Sequence, residues 1–237
     1  MSFGKLYLLP VPLAENSSAR VLPAAQTDTI NQIKHYVVEN EKTARRWLKE
    51  MGLKTPQSEL DIIVFDKRSD KHQLAEYFKA LKEGHDVGLM SEAGCPGVAD
   101  PGSELVAEAH RLGIQVIPMV GPSSILLALM ASGFNGQGFA FQGYLPIDKA
   151  ERSRKLKELE TLSERFNQTQ IFIETPFRNN QLMDEILKSC NPNTQICVAC
   201  DITDEREFIQ TKTVAFWKKQ VPELHKKPAI FLLYKRA

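Results

Sequence analysis

Two loops hold the residues whose types and spacing could do chemistry. The first, residues 91–102, reads SEAGCPGVADPG, with three glycines and two prolines in twelve positions. A plain connection from strand to helix needs only about 2–6 residues. Glycines let backbone N–H and C=O groups approach a ligand closely. Pro101 suits a first helical turn, with Asp100 as its cap. The second loop, Gly121-Pro122-Ser123-Ser124, opens a very apolar helix. Two hydroxyls and unpaired amides at a helix start make a place for a carboxylate or another polar group. Plain N-capping by Ser123 or Ser124 is the alternative. Both loops follow strands, where α/β proteins bind ligands, and two in succession favour one shared ligand.

The elements that must position these loops alternate. Residues 5–11, 35–39, 61–65, 86–90 and 114–120 read as strands, and 41–51, 71–82 and 103–112 as helices stopped by Gly52, Gly84 and Gly113. This alternation predicts βαβ units and a mostly parallel sheet. Near-continuous apolar strands predict a sheet covered on both faces. In the second half, 124–132, 150–165 and 177–190 read as helices, the last with Leu182, Ile186 and Leu187 inward. Strands are expected at 139–144, 170–174, 195–201 and 229–234. Residues 208–216 are a further strand candidate that would make this sheet mixed. GFNGQG at 133–138 is the most flexible-looking stretch. We place the domain boundary after Val120, giving α/β domains 1–120 and 121–237.

Composition narrows the class. The chain has 237 residues, 43% of them hydrophobic, so disorder and fibrous architectures are excluded. Thirty Lys and Arg against 29 Asp and Glu leave a net charge of +1. That excludes a grip on nucleic acid by bulk positive charge and leaves room for a local basic patch. The N-terminus lacks the long apolar region of a secretory signal, and no apolar run reaches the ~20 residues of a membrane span. A cytoplasmic protein with reduced thiols is expected, without a membrane partner. Cys197 and Cys200 form a lone CxxC inside a strand-like run; no second ligand pair accompanies it, so buried cysteines are expected and no metal. The five histidines are scattered and read as structural or exposed.

Taken together, strand–SEAGCPGVADPG–helix–strand–GPSS–apolar helix–FAFQGYLP resembles the tetrapyrrole methylase superfamily of S-adenosylmethionine-dependent methyltransferases. Glu174-Thr175-Pro176-Phe177-Arg178 and the opening LYLLPVPL at 6–13 are similar to further family elements. The likeness spans nearly the whole chain and is closest to the branch that 2′-O-methylates a cytidine ribose in 16S ribosomal RNA. It implies two α/β domains with the cofactor in the cleft between them, and a homodimer. It also implies that Ser91, Glu92, Ala93, Gly94, Ser123 and Ser124 lie at the cofactor, with Glu174, Thr175, Ala199 and Asp201 on its adenosine side. The departures are local. Residues 12–16 (PLAEN) lack the family's first-loop glycine, 39–42 read ENEK for E-D-T-R, 68–70 read RSD, and 199–204 read ACDITD for an R-E-L-T-K element. Substrate contacts are expected there. The chain ends near 237, short of the extension typical of the RNA-acting branch.

A ribose hydroxyl is a poor nucleophile, and a general base contributes roughly 10²–10⁴-fold. Glu39, Glu92, Glu174 and Asp201 stand at strand ends, and Glu39 and Glu92 are favoured; helix capping or ion pairing is the alternative for each. For RNA phosphates, residues 149–157 carry five basic side chains and one acid. Lys42, Arg45, Arg46 and Lys49 flank Trp47, which either stacks on a base or packs in the core. Lys226-Lys227 is too small a signal to use. A small-molecule, tetrapyrrole-type methylase and a non-catalytic S-adenosylmethionine-binding protein are the competing readings.

Overall fold

The computed structural model describes residues 2–66, 69 and 74–236, with backbone alone for 74 and 75. The first apolar runs become β1 (Leu6–Leu8), β2 (His35–Val38), β3 (Asp61–Val64), β4 (Val87–Met90) and β5 (Val116–Pro118). They form one parallel sheet in the order β3-β2-β4-β1-β5. The chain leaves β1 toward β2 and β4 toward β5, in opposite directions across the sheet. Crossovers between parallel strands are right-handed, so the helices divide between the two faces. On one face, α2 (Ala24–Ile30) and α3 (Glu41–Glu50) place Ile30, Ala44, Trp47 and Leu48 against Tyr36, Val38 and Met90. On the other, α5 (Lys79–Lys82) and α6 (Ser103–Arg111) place Leu81, Leu105 and Ala109 against Val37, Val87 and Leu89. The alternation of Tyr36, Val37 and Val38 between the two clusters is the period of two that a covered strand requires. A short α1 (Ser18–Val21) precedes α2, and α4 (Leu74–Tyr77) precedes α5.

Several expectations are corrected in detail. The helix expected over 71–82 is, in its described part, two short helices separated at the buried Phe78, which adopts φ −99° and ψ 0°. Residues 71–73 lie outside the described set, as do Arg68 and Asp70. β1 and β5 are shorter than their apolar runs, while Leu9, Val11 and Ile114 beside them fill the two cores. α6 starts at Ser103 as expected, but Pro101 and Asp100 lie outside its first turn, because Gly102 at φ +127° makes a bend that side chains disfavour.

From Ser124 the chain forms a second compact unit; the first runs to Ser123. Here β6 (Phe139–Tyr144), β7 (Thr169–Ile173), β8 (Gln195–Cys200), β9 (Phe208–Thr213) and β10 (Ala229–Tyr234) order as β6-β7-β10-β8-β9. β6 and β7 are parallel, whereas β10 and β9 run antiparallel to their neighbours, so this sheet is mixed. The 208–216 run is strand only to Thr213, whose hydroxyl caps α10 (Val214–Trp217). α7 (Ser124–Ser132) lies against β9 and β10, with the Ser132 carbonyl accepting from the Thr211 hydroxyl at 2.7 Å. α8 (Lys149–Phe166) and α9 (Asn179–Ser189) pack Leu156, Leu159, Leu182 and Ile186 on Phe172, Val198 and Phe231. The flexible-looking GFNGQG stretch is pinned instead. The Asn135 side chain donates to the Asn167 carbonyl and accepts from the Gln137 amide, and the Asn135 carbonyl accepts from the Thr169 hydroxyl.

Cys197 and Cys200 are three residues apart in a strand, so they face opposite sides of the sheet. Both are buried, and burial pushes their thiols up to about 11 and about 12; Cys190 is pushed up to about 12, first by burial and then by Glu160 and Glu185. Among the described residues no cluster of His, Cys, Asp or Glu could hold a metal ion, and no helix is long and apolar enough to cross a membrane. A thiol titration of the native protein near pH 8 should find Cys95, which is half-buried, and leave the other three unreacted until denaturant is added. A second fast native thiol contradicts this burial. The sign of the pH effect follows. The three buried thiols stay protonated in the fold while those of the unfolded chain ionise, so stability present below about pH 9 falls as pH rises toward about 12.

Candidate functional site

The carboxyl ends of β1 and β4 are the point where connections diverge, the crevice position for ligands in open α/β sheets. Their exit loops hold each other by main chain. The Val11 amide donates to the Gly94 carbonyl at 2.9 Å and the Gly94 amide to the Val11 carbonyl at 3.1 Å. Gly94 has φ +72°, and a Cβ there would lie 3.2 Å from Leu13 Cδ2 and 3.5 Å from the Pro122 carbonyl oxygen. The loop after β5 closes in as well, since a Cβ on Gly121 would fall 2.2 Å from Pro10 Cβ. The Pro10 carbonyl accepts from buried Gln26 Nε2 at 2.6 Å, and the Cys95 thiol donates to the Pro122 carbonyl at 3.3 Å. Three loops from three strands thus meet, two of them main chain to main chain and the third through Pro10 and the Cys95 thiol.

Within this cluster the Ser91 hydroxyl is buried and donates to the Ala93 carbonyl at 3.2 Å, shaping the turn. Glu92 and Ala93 stand exposed at its tip. The Trp47 indole N–H donates to the Glu92 carbonyl at 3.0 Å. Glu39 leaves β2 beside β4, its amide donating to the Met90 carbonyl at 3.3 Å, and is half-buried. Val38 pairs with Met90, so Glu39 and Glu92 exit neighbouring strands at one edge of one sheet. Ser123 ends the first unit and Ser124 begins α7.

In the second unit, the buried Glu174 carboxylate accepts from the Thr175 amide and from Arg178 Nη2, both at 2.7 Å. For Glu174, then, the ion-pair alternative is what the fold contains. Ala199 is fully buried within β8. Asp201 follows β8 in a left-handed turn at φ +50°, its amide donating to the Pro228 carbonyl at 3.0 Å.

In the two basic stretches the structure takes the packing alternative read for Trp47. Arg152 is buried and donates to the Ile147 carbonyl, and Lys155 pairs with Glu158. Trp47 is 3% exposed, so it packs in the core and stacks on no base, while Arg45 and Arg46 pair with Glu41 and Glu15. What residue reasoning missed is the backbone bridge and the Trp47 link to Glu92. No local pattern marks them. The Glu174–Arg178 pair was legible in principle from its four-residue spacing.

A parallel sheet with interlocked, glycine-bearing loops at its point of divergence, followed by a mixed α/β unit, is the build of a small-ligand-binding α/β enzyme. Residues 19–215 match the model of the tetrapyrrole (corrin/porphyrin) methylases, and the chain belongs to that family and is a methyltransferase. Among curated relatives, the ribosomal RNA small subunit methyltransferase I of Thermotoga maritima is 30% identical over 92% of this chain and 94% of its own length. The protein of that name from Buchnera aphidicola subsp. Schizaphis graminum is 28% identical over 97% of this chain and 78% of its own. In fold, the methyltransferase CobJ aligns with a TM-score of 0.65 at 18% identity, over 98% of this chain and 94% of that one. Uroporphyrin-III-C-methyltransferase from Thermus thermophilus aligns at 0.59 and 16%, over the same shares.

Proposed function

We propose that this chain is an S-adenosylmethionine-dependent methyltransferase that modifies a ribose 2′-hydroxyl of small-subunit ribosomal RNA. The observation that carries the reading is the likeness, over more than nine-tenths of this chain, to two ribosomal RNA small subunit methyltransferases I. When bound, the cofactor supplies a methyl group activated on a sulfonium. Its amino-acid end needs donors and acceptors, and exposed main chain at Glu92 and Ala93 fits that need. Ser123 and Ser124 add hydroxyls, Ser91 holds the turn, and Gly94 keeps it open. On the adenosine side we assign Thr175 and Asp201 as direct contacts, with Glu174 and Ala199 acting through backbone because their side chains are enclosed. Glu39 and Glu92 are assigned as acceptors of the hydroxyl proton. We assign a homodimer working in the cytoplasm.

The test is transfer of labelled methyl from S-adenosylmethionine to small ribosomal subunits lacking ribose methylation. The expected product is an alkali-resistant dinucleotide in 16S RNA. Label entering a tetrapyrrole instead supports the small-molecule reading. Binding without any turnover supports a non-catalytic role.

A further inference from the structure

On the strength of the ribosomal RNA reading, we propose that one edge of the second sheet is a platform for single-stranded RNA. A nucleobase stacks on Phe177, and flanking phosphates are held by Lys226 and Lys227. The topology makes the platform. β6 and β7 are parallel neighbours with Tyr144 opposite Ile173, so the loops after both emerge at one edge. β10 runs antiparallel to β7, which brings the segment before it, 224–228, to that same edge. The Lys226 amide donates to the Pro176 carbonyl at 2.9 Å, and the Asn179 side chain donates to the Lys227 carbonyl at 2.7 Å. Buried Leu224 anchors the segment from below.

On this fixed frame the side chains point into water. Phe177 is 66% exposed, with its ring centroid 6.2 Å from that of His225 in an edge-on arrangement. Tyr144, at the end of β6, and Ile147, on the loop after it, are 52% and 72% exposed. His225, Lys226, Lys227 and Pro228 are four consecutive exposed residues, with Lys226 in a left-handed turn at φ +59°.

Apolar rings alone would suit many partners; the adjacent cations select a polyanion. In the other basic stretches Arg46 is paired by Glu15, Arg45 by Glu41 and Lys155 by Glu158. Glu223 flanks this patch; its carboxylate is held by the Asn180 side chain and the His225 amide, and its charge also acts on Lys227. Every base has a π-face, so an exposed aromatic beside lysines binds unpaired nucleotides whatever their sequence. With a net charge of only +1, the chain must bind RNA through a local patch of this kind.

The test is the affinity of the full chain for unmethylated small ribosomal subunits across a salt series. Phe177→Ala should weaken binding roughly 10- to 100-fold, and Phe177→Trp should restore it. The double variant Lys226→Gln/Lys227→Gln should flatten the slope of log K against log salt by about 1.4. The thermal shift produced by S-adenosylhomocysteine should be unchanged in all three, which shows them folded. If the wild type binds and methylates the subunits and the variants match it, the platform is wrong and the ribosomal reading stands. If the wild type takes up S-adenosylhomocysteine but neither binds nor methylates the subunits, the ribosomal reading fails and the platform with it.

Discussion

Gly94→Val should remove the thermal shift that S-adenosylhomocysteine gives the wild-type protein. At a ligand concentration of about 100 times Kd, binding stabilises the fold by ~2.7 kcal/mol, which raises Tm by roughly 5–10 °C for a chain of this length. Gly94 sits at φ +72°, in the left-handed region where a β-branched residue is strained. Its amide and carbonyl form both bonds of the bridge to Val11, and the space for a Cβ is bounded by Leu13 and Pro122. The chain cannot keep this turn and accept the branch, so the exposed main chain at Glu92 and Ala93 is re-aimed. The strain costs about 1–3 kcal/mol, which leaves the sheet folded. Far-UV circular dichroism separates lost binding from lost fold. An undiminished shift in a folded Gly94→Val protein removes this loop from the cofactor site.

Glu92→Gln should lower kcat by roughly 10²–10⁴-fold while S-adenosylhomocysteine still binds. The side chain is exposed at the end of β4, and its own carbonyl is fixed by the Trp47 indole, so carboxylate and backbone play separate parts. The amide keeps the shape and loses the ability to take a proton. Glu39→Gln is the paired measurement, since Glu39 leaves the adjacent strand at the same edge. Measured in single turnover, the larger loss identifies the acceptor. Wild-type rates in both variants would remove carboxylate assistance from the reaction.

Much of this was legible from residues because the signals are local. Alternation of apolar runs with helix periods, and glycines such as Gly52 and Gly113 at positive φ behind helices, mark βαβ units without tertiary knowledge. The loop 91–102 stood out by length and glycine content, and its place at the divergence of β1 and β4 follows from strand order. What stayed hidden depends on distant partners. Trp47 between four cations reads as a stacking or a core residue until α3 lays it on the sheet face. Asn135 reads as flexible until Asn167 and Thr169, over thirty residues on, fasten it. Lys226-Lys227 is negligible in one dimension and gains meaning only when antiparallel pairing of β10 brings it beside Phe177.

The bridge between Val11 and Gly94 has a consequence for how such a protein can change over generations. Both of its bonds are made by peptide groups, which every residue except proline supplies. Gly94 must stay a glycine to hold its turn, but side chains that do not enter the bridge can be replaced while the loop geometry is kept. Ala14, where the family carries a glycine, lies three residues beyond Val11 in the same loop. A fold arranged this way can vary the residues at its rim by drift and keep the shape of its loops throughout.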